Sequence, residues 1–291
     1  MIGLVVVDKE AGWTSHDVVA RCRKLFGERR VGHAGTLDPD ATGLLLVGIG
    51  RATRLLRFLT GLQKSYTGEL VLGVATSTLD SSGEVTGRWD MSGIGLEEVR
   101  KAAAGFVGEI EQVPPMVSAI KIGGKRLHQL ARQGIEVERP ARFVSIYRLE
   151  VESADKPGTY LLDLDCSAGT YVRSLAADLG TALGGGGHLR NLRRTRVGSF
   201  SESEAHTLDE IAELGSQAVL TPAQTLRDFD RLSIDADVLS LVSKGVPVER
   251  ISVGADGGGP WALVDERGQL AAVYETTETD LIRPAVVLSG D

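Results

Sequence analysis

Apolar and polar positions along the chain fall into blocks with two different periods. Residues 3–8 form a short apolar run that predicts a buried strand. Val18, Val19, Cys22, Leu25 and Phe26 recur at helical spacing, which predicts a helix capped by Ser15 and closed by Gly27. A second apolar run spans residues 44–47, and a second helix is expected over residues 52–59, with Arg51, Arg54 and Arg57 sharing one side. Residues 66–72, 144–153 and 160–166 alternate as strands do, whereas residues 96–106 read as a helix. Another helix is expected to start near Tyr171 and to end before the glycine run at 184–187. Short strands are predicted at 261–264, 271–274 and 286–288. Helices and strands interleave irregularly, without strict βαβ alternation. The fold class expected is therefore α+β, on a largely antiparallel mixed sheet. A boundary near residues 225–235 divides the chain into a main domain, 1–230, and a small β-rich domain, 231–291.

Composition narrows the class. The chain has 291 residues, 42% hydrophobic, with no apolar stretch of membrane-spanning length. The N-terminal run lacks a basic leader and is shorter than a secretion signal, so a cytoplasmic protein is expected. Cys22 and Cys166 are the only cysteines; they form neither a disulfide framework nor a metal signature. The net charge of −7 is unevenly placed: residues 1–200 hold 26 basic and 22 acidic side chains, whereas residues 201–291 hold 6 and 17. The first part has bases clustered at Arg51–Arg57, Lys121–Arg132 and Arg190–Arg196, expected to meet phosphates, since local field governs attraction of a polyanion. Gly48-Ile49-Gly50 is not a dinucleotide loop, because Thr53 stands where the third glycine belongs.

The candidate chemistry sits in residues 30–43, RVGHAGTLDPDATG. One carboxylate, Asp38, lies in a glycine-punctuated loop five residues after His33, and Pro39 sets the chain direction behind it. Such a loop can aim one side chain at a substrate. An aspartate in a turn more commonly bonds its own backbone, and the loop residues alone leave both readings open. Tyr66, Tyr171 and Leu192, taken singly, read as ordinary strand or core residues, and Lys9 as a solvated charge.

The string GHAGTLDPDATGLL resembles the catalytic loop of TruB-family pseudouridine synthases. Further matches follow in the same order: Lys9-Glu10-Ala11-Gly12-Trp13-Thr14-Ser15, Lys64-Ser65-Tyr66, Val113 through Lys121, Gly169-Thr170-Tyr171-Val172-Arg173, and His188 through Arg194. The resemblance covers roughly the first two hundred residues. It implies a stand-alone synthase that isomerises uridine 55 in the T-loop of tRNA to pseudouridine, with an extended mixed sheet, a central RNA cleft and a C-terminal PUA-like domain. It implies Asp38 as nucleophile, Arg173 as its ionic partner, and Tyr66 as a catalytic aromatic that stacks on the extruded uracil and whose hydroxyl can act in proton removal. It further implies Tyr171 and Leu192 as pocket walls, His33 as support for the flipped-out RNA, and Lys9 as support for the active loop. No cofactor and no metal are expected; the partner is the tRNA T-stem-loop, and the protein is expected to be a monomer. Glu10, Val117 and His128 depart from the family pattern. The competing readings are a related synthase with another RNA target and an RNA-folding chaperone.

Overall fold

The computed structural model describes residues 1–118, 121–122, 125–126, 135 and 137–288. Arg132 and His128, and the side chains of Lys121, Lys125 and Arg126, lie outside the described residues.

The strands are β1 (Gly3–Lys9), β2 (Val31–Ala34), β3 (Thr42–Ile49), β4 (Lys64–Leu72), β5 (Val74–Thr76), β6 (Val85–Arg88), β7 (Gly108–Gln112), β8 (Lys121–Ile122), β9 (Lys125–Arg126), β10 (Arg142–Ser153), β11 (Thr159–Cys166), β12 (Gly187–Val197) and β13 (Phe200–Ser201). Nine of them form one sheet, in the path β1-β3-β12-β4-β11-β10-β7, with β2 on β3 and β13 on β12. Among the described residues of this sheet only β3 and β12 run parallel, so it is mixed but largely antiparallel, as expected. Helices Ser15–Phe26, Leu96–Ala104 and Val172–Ala182 contribute Val18, Cys22, Val99, Leu175 and Leu179 to the core on one face. A second cluster, including Leu4, Leu44, Leu46 and Phe200, covers the other face of β1 and β3. β3 is buried on both faces, which is why its sequence runs apolar without alternation.

The geometry of β3 opens the site. One of its edges carries β1 from Gly43 to Ile49. The other edge is shared: β12 pairs at Thr42–Gly43 and β2 at Leu46–Ile49. Two strands on one edge must diverge, and the β2–β3 loop carrying Asp38 emerges where they do. Gly43 makes this junction possible. Its φ is +95°, and a Cβ there would lie 2.3 Å from the Arg194 carbonyl oxygen.

Three local expectations are corrected. The first helix is capped by Thr14, whose hydroxyl accepts from the Asp17 amide while Asp17 bonds back to Thr14. Ser15 is instead buried and turned towards the Asp38 loop. The helix expected over 52–59 begins as a 3-10 turn, Gly50–Leu55, and becomes α-helical at Leu56–Thr60. The arginines on it do not stand free for RNA: Arg54 donates to the Val287 carbonyl, and Arg57 pairs with Glu275.

Those two contacts tie the sheet to a second one of five strands, Arg231–Ser233, Trp261–Val264, Leu270–Thr276, Leu281–Val287 and Val248–Glu249 in that spatial order. Ala52 and Leu55 share a buried cluster with Val264, Leu270, Val273 and Val286 of that sheet. The two- and three-residue strands and the helix Ala236–Ser243 were not read from the sequence, because segments so short show no period.

Gly43→Ala places a side chain against backbone at a left-handed residue, and is expected to cost at least ~2 kcal/mol. A thermal melt should show a Tm lower by about 5 °C or more; an unchanged Tm would show that β3 and β12 do not need this approach.

Candidate active site

The loop between β2 and β3 is tied down from several sides. The Ser15 hydroxyl accepts from the Leu37 amide (2.9 Å) and donates to the Leu37 carbonyl (3.2 Å). The Pro39 carbonyl accepts from the Lys9 ammonium (3.0 Å) and from the Gly12 amide (2.9 Å). The Asp38 carbonyl closes a turn with the Ala41 amide. These bonds hold the backbone on both sides of Asp38 and leave its carboxylate for another partner.

That partner is Arg173, in the first turn of helix Val172–Ala182. Its Nε and Nη2 reach the two oxygens of Asp38 at 3.0 and 3.1 Å, a two-pronged pairing. The remaining N–H groups are also engaged: Nη1 donates to the Thr78 carbonyl (2.9 Å) and Nη2 to the Val117 carbonyl (2.8 Å). The Asp38 carboxylate is thus held by a distant guanidinium. The pair is asymmetric: the Arg173 side chain is 5% exposed and Asp38 is 37% exposed, so the carboxylate is the accessible member.

Asp80, which sequence reasoning left as part of a polar turn, stands on the other side of Arg173 at 3.4 Å. Its Oδ1 accepts from Thr78 and Ser82, so Oδ2 is the oxygen turned to the guanidinium. Leu79 has φ 63°, and its carbonyl accepts from Leu189 of β12, which holds this turn on the sheet. One cation thus lies between two carboxylates. Burial pushes the Asp38 carboxyl above its ordinary range; Arg173 opposes this, and Asp80 adds to it. No sequence signal marked Asp80, because its partner lies far along the chain.

Asp38 and Arg173 open onto a cavity of about 270 Å³, whose walls include Tyr66, Tyr171 and Leu192. Tyr66 lies on β4 directly opposite Arg194 of β12. Leu192 sits in an irregularity of β12, where Arg190 and Arg193 face Glu69 and Thr67 with one extra residue between them and Asn191 takes φ 53°. A bulge of this kind re-aims a side chain. Tyr171 is the half-buried N-cap residue of its helix, and its amide and carbonyl are both bonded by the side chain of Gln112 (2.7 and 3.0 Å). Gln112 was not singled out from the sequence.

Two expected site residues do not line the cavity. Lys9 is 1% exposed and its ammonium donates to the carbonyls of Glu10, Trp13 and Pro39, so it clamps the loop from beneath. His33 lies on β2 with its ring edge-on to His16, 5.7 Å between centroids. Burial, with the charges of His16 and Arg194, lowers its pKa and keeps the ring neutral.

The basic run on β12 is largely engaged within the chain. Arg190 pairs with Glu69, Arg193 with Asp8 and Glu202, and Arg194 is buried. Arg196 is exposed, beside Ser65 and Asp165.

Residues 23–172 match the family model described as TruB family pseudouridylate synthase, N-terminal domain. The chain belongs to the TruB family. Residues 173–229 match the tRNA pseudouridylate synthase B C-terminal domain. tRNA pseudouridine synthase B of Rhodococcus jostii is 45% identical over 98% of this chain and 95% of its own length. The protein of the same name from Mycolicibacterium paratuberculosis is 45% identical over 98% and 99%. A chain from the crystal structure of a Cbf5-Nop10-Gar1 complex superposes with a TM-score of 0.76 at 26% identity, covering 96% of this chain and 79% of the other. This TruB-family chain is accordingly a tRNA pseudouridine synthase, an isomerase, built on the pseudouridine synthase fold with a β-rich C-terminal domain.

The paired carboxylates make a prediction for titration. Followed by carbon NMR in aspartate-labelled protein, the Asp38 carboxyl should titrate above the ordinary aspartate value of about 3.9. In Asp80→Asn one like charge is gone, and the midpoint should fall. An Asp38 midpoint at or below the ordinary value would show that Arg173 outweighs burial.

Proposed function

We propose that the chain isomerises uridine 55 in the T-loop of tRNA, with Asp38 as the nucleophile acting on a uridine extruded from its stack. The observation that carries this reading is the exposed carboxylate of Asp38, ion-paired two-pronged to a buried Arg173 at the wall of a cavity lined by Tyr66 and Leu192. The reaction breaks the bond from N1 to C1′, turns the base and joins C5 to C1′. A fixed, ionised carboxylate facing the sugar can divide that change into two easier steps. Arg173 favours its ionised form and fixes its direction.

Burial raises the Tyr66 phenol, so the ring stays neutral and offers a flat face for the uracil. Tyr171 and Leu192 supply the rest of the wall. Extrusion costs a few kcal/mol, which stacking and phosphate contacts must offset. His33, neutral and close to the loop, is suited to occupy the space the base vacates. With the β12 arginines engaged internally, the exposed Arg21, Lys24, Arg29 and Arg30 are the better candidates for phosphates. The partition into a catalytic domain, 1–230, and a PUA-like domain, 231–291, a monomeric state and a cytoplasmic location belong to the same reading.

The test is incubation with an unmodified tRNA T-arm stem-loop and mapping of pseudouridine by nucleoside mass spectrometry. Wild type should convert the T-loop uridine alone, and Asp38→Asn should lose at least about 10⁴-fold in rate. Tight binding without conversion would overturn the assignment. Binding and tRNA refolding that survive Asp38→Asn would add the chaperone role.

A further inference from the structure

The same cavity has two more polar walls, Lys64 and Arg194, that the mechanism above does not use. Both are buried, at 6% and 1% exposure. Among the described residues neither is ion-paired to a carboxylate, unlike Arg173, Arg190 and Arg193. They lie close together: a Cβ built on Gly35 would be 3.5 Å from Nη1 of Arg194 and 3.6 Å from Cε of Lys64.

Their donors are not all taken. Lys64 donates to the Thr60 and Leu62 carbonyls (2.9 and 2.7 Å), which uses two of three N–H groups. Arg194 donates to the Leu44 and Gly35 carbonyls (2.7 and 3.1 Å), which uses two of five. Burying two neighbouring cations without counter-charge is costly unless an anion arrives. Each disfavours the other, and burial together with Arg194 lowers the Lys64 ammonium to about 8. Among the described residues the one carboxylate lining this cavity, Asp38, is already held by Arg173.

We propose that Lys64 and Arg194 form a cationic pair that takes up the negative charge of the uracil ring once it is detached from the sugar. The inference rests on the uridine reaction assigned above. When the C1′–N1 bond breaks, its electron pair goes to the base, where N1, O2 and O4 share the charge, and the Asp38 carboxylate bonds to C1′. After the ring turns, an electron pair at C5 forms the new bond to C1′, and the carboxylate leaves with its own pair. C5 then gives up its hydrogen as a proton and N1 gains one; nothing is oxidised or reduced. Donors fixed before the reaction, in a site shielded from water, stabilise such charge without reorganising.

The test varies the leaving base. T-arm stem-loops carrying uridine or 5-fluorouridine at the target are compared in single-turnover loss of the N-linked nucleoside. Fluorine withdraws electrons and stabilises the detached anion by itself. Lys64→Met should slow the uridine substrate by about 100-fold and the fluorinated one by less than about 10-fold, with RNA affinity unchanged. Lys64→Gln keeps a donor for the two carbonyls without the charge, and should show the same selective loss if the methionine variant does not fold. Arg194→Lys retains the cation and should keep the wild-type ratio between substrates.

Equal slowing of both substrates would reduce Lys64 to a structural role and overturn the proposal. A loss confined to affinity would make the pair a phosphate site and overturn it as well. Wild type that converts neither substrate would instead overturn the uridine assignment.

Discussion

The pairing of Asp38 with Arg173 is the contact on which the site depends, and it joins two parts of the chain 135 residues apart. A carboxylate in a solvent-facing loop would be mobile and well hydrated. Here the loop backbone is held by Ser15, Lys9 and Gly12, and the guanidinium is fixed by two carbonyls besides its acid. The two constraints act on opposite members of the pair, so both directions are set before a substrate arrives. The cost of ordering these groups is met in folding, so the carboxylate stands placed at the cavity beforehand.

The sheet supplies the geometry. A strand that shares one edge between β2 and β12 creates a fork, and the loop carrying the acid leaves from it. β12 then passes beside β4, and its bulge places Leu192 on the same cavity as Tyr66. The second sheet braces this arrangement at a distance. It packs on Ala52 and Leu55, directly after β3, so the strand that begins beside the acid ends against the C-terminal domain. Arg54 and Arg57 serve this contact from the first sheet's side.

What could be read from the sequence follows the range of the forces involved. Strands such as 160–166 and the helix before Gly27 are local patterns, and the structure has them within a residue or two. Asp38, Tyr66 and Arg173 were legible only as an ordered set of motifs, since each alone reads as turn, strand or surface. Asp80 and Gln112 were not legible, because their roles arise from partners 93 and 59 positions away, set by how β12, the 77–83 turn and helix Val172–Ala182 meet. The same limit applies to the charge reading. The run of arginines on β12 is visible in the sequence, but its internal partners Asp8, Glu69 and Glu202 are distant along the chain or on another element.

The choice of cation at each place follows from its shape. Arg173 faces a carboxylate with two oxygens and must also satisfy two backbone carbonyls, which a planar fork with five N–H groups can do at once. A lysine there could keep the charge but could not hold both oxygens of Asp38 and both carbonyls in one plane. Lys9 meets the opposite demand, because three carbonyls converge on one point beneath the loop, and a compact ammonium with three donors fills it. Burial lowers that ammonium to about 8, while Asp40 and Asp38 pull it back up, so the clamp and the acid support one another's charge. Removing the proton from Lys9 would loosen Pro39 and, through it, the residue that precedes it, Asp38. The loop is therefore held by electrostatics as well as by its hydrogen bonds, with Asp40 and Asp38 both favouring the charged clamp beneath it.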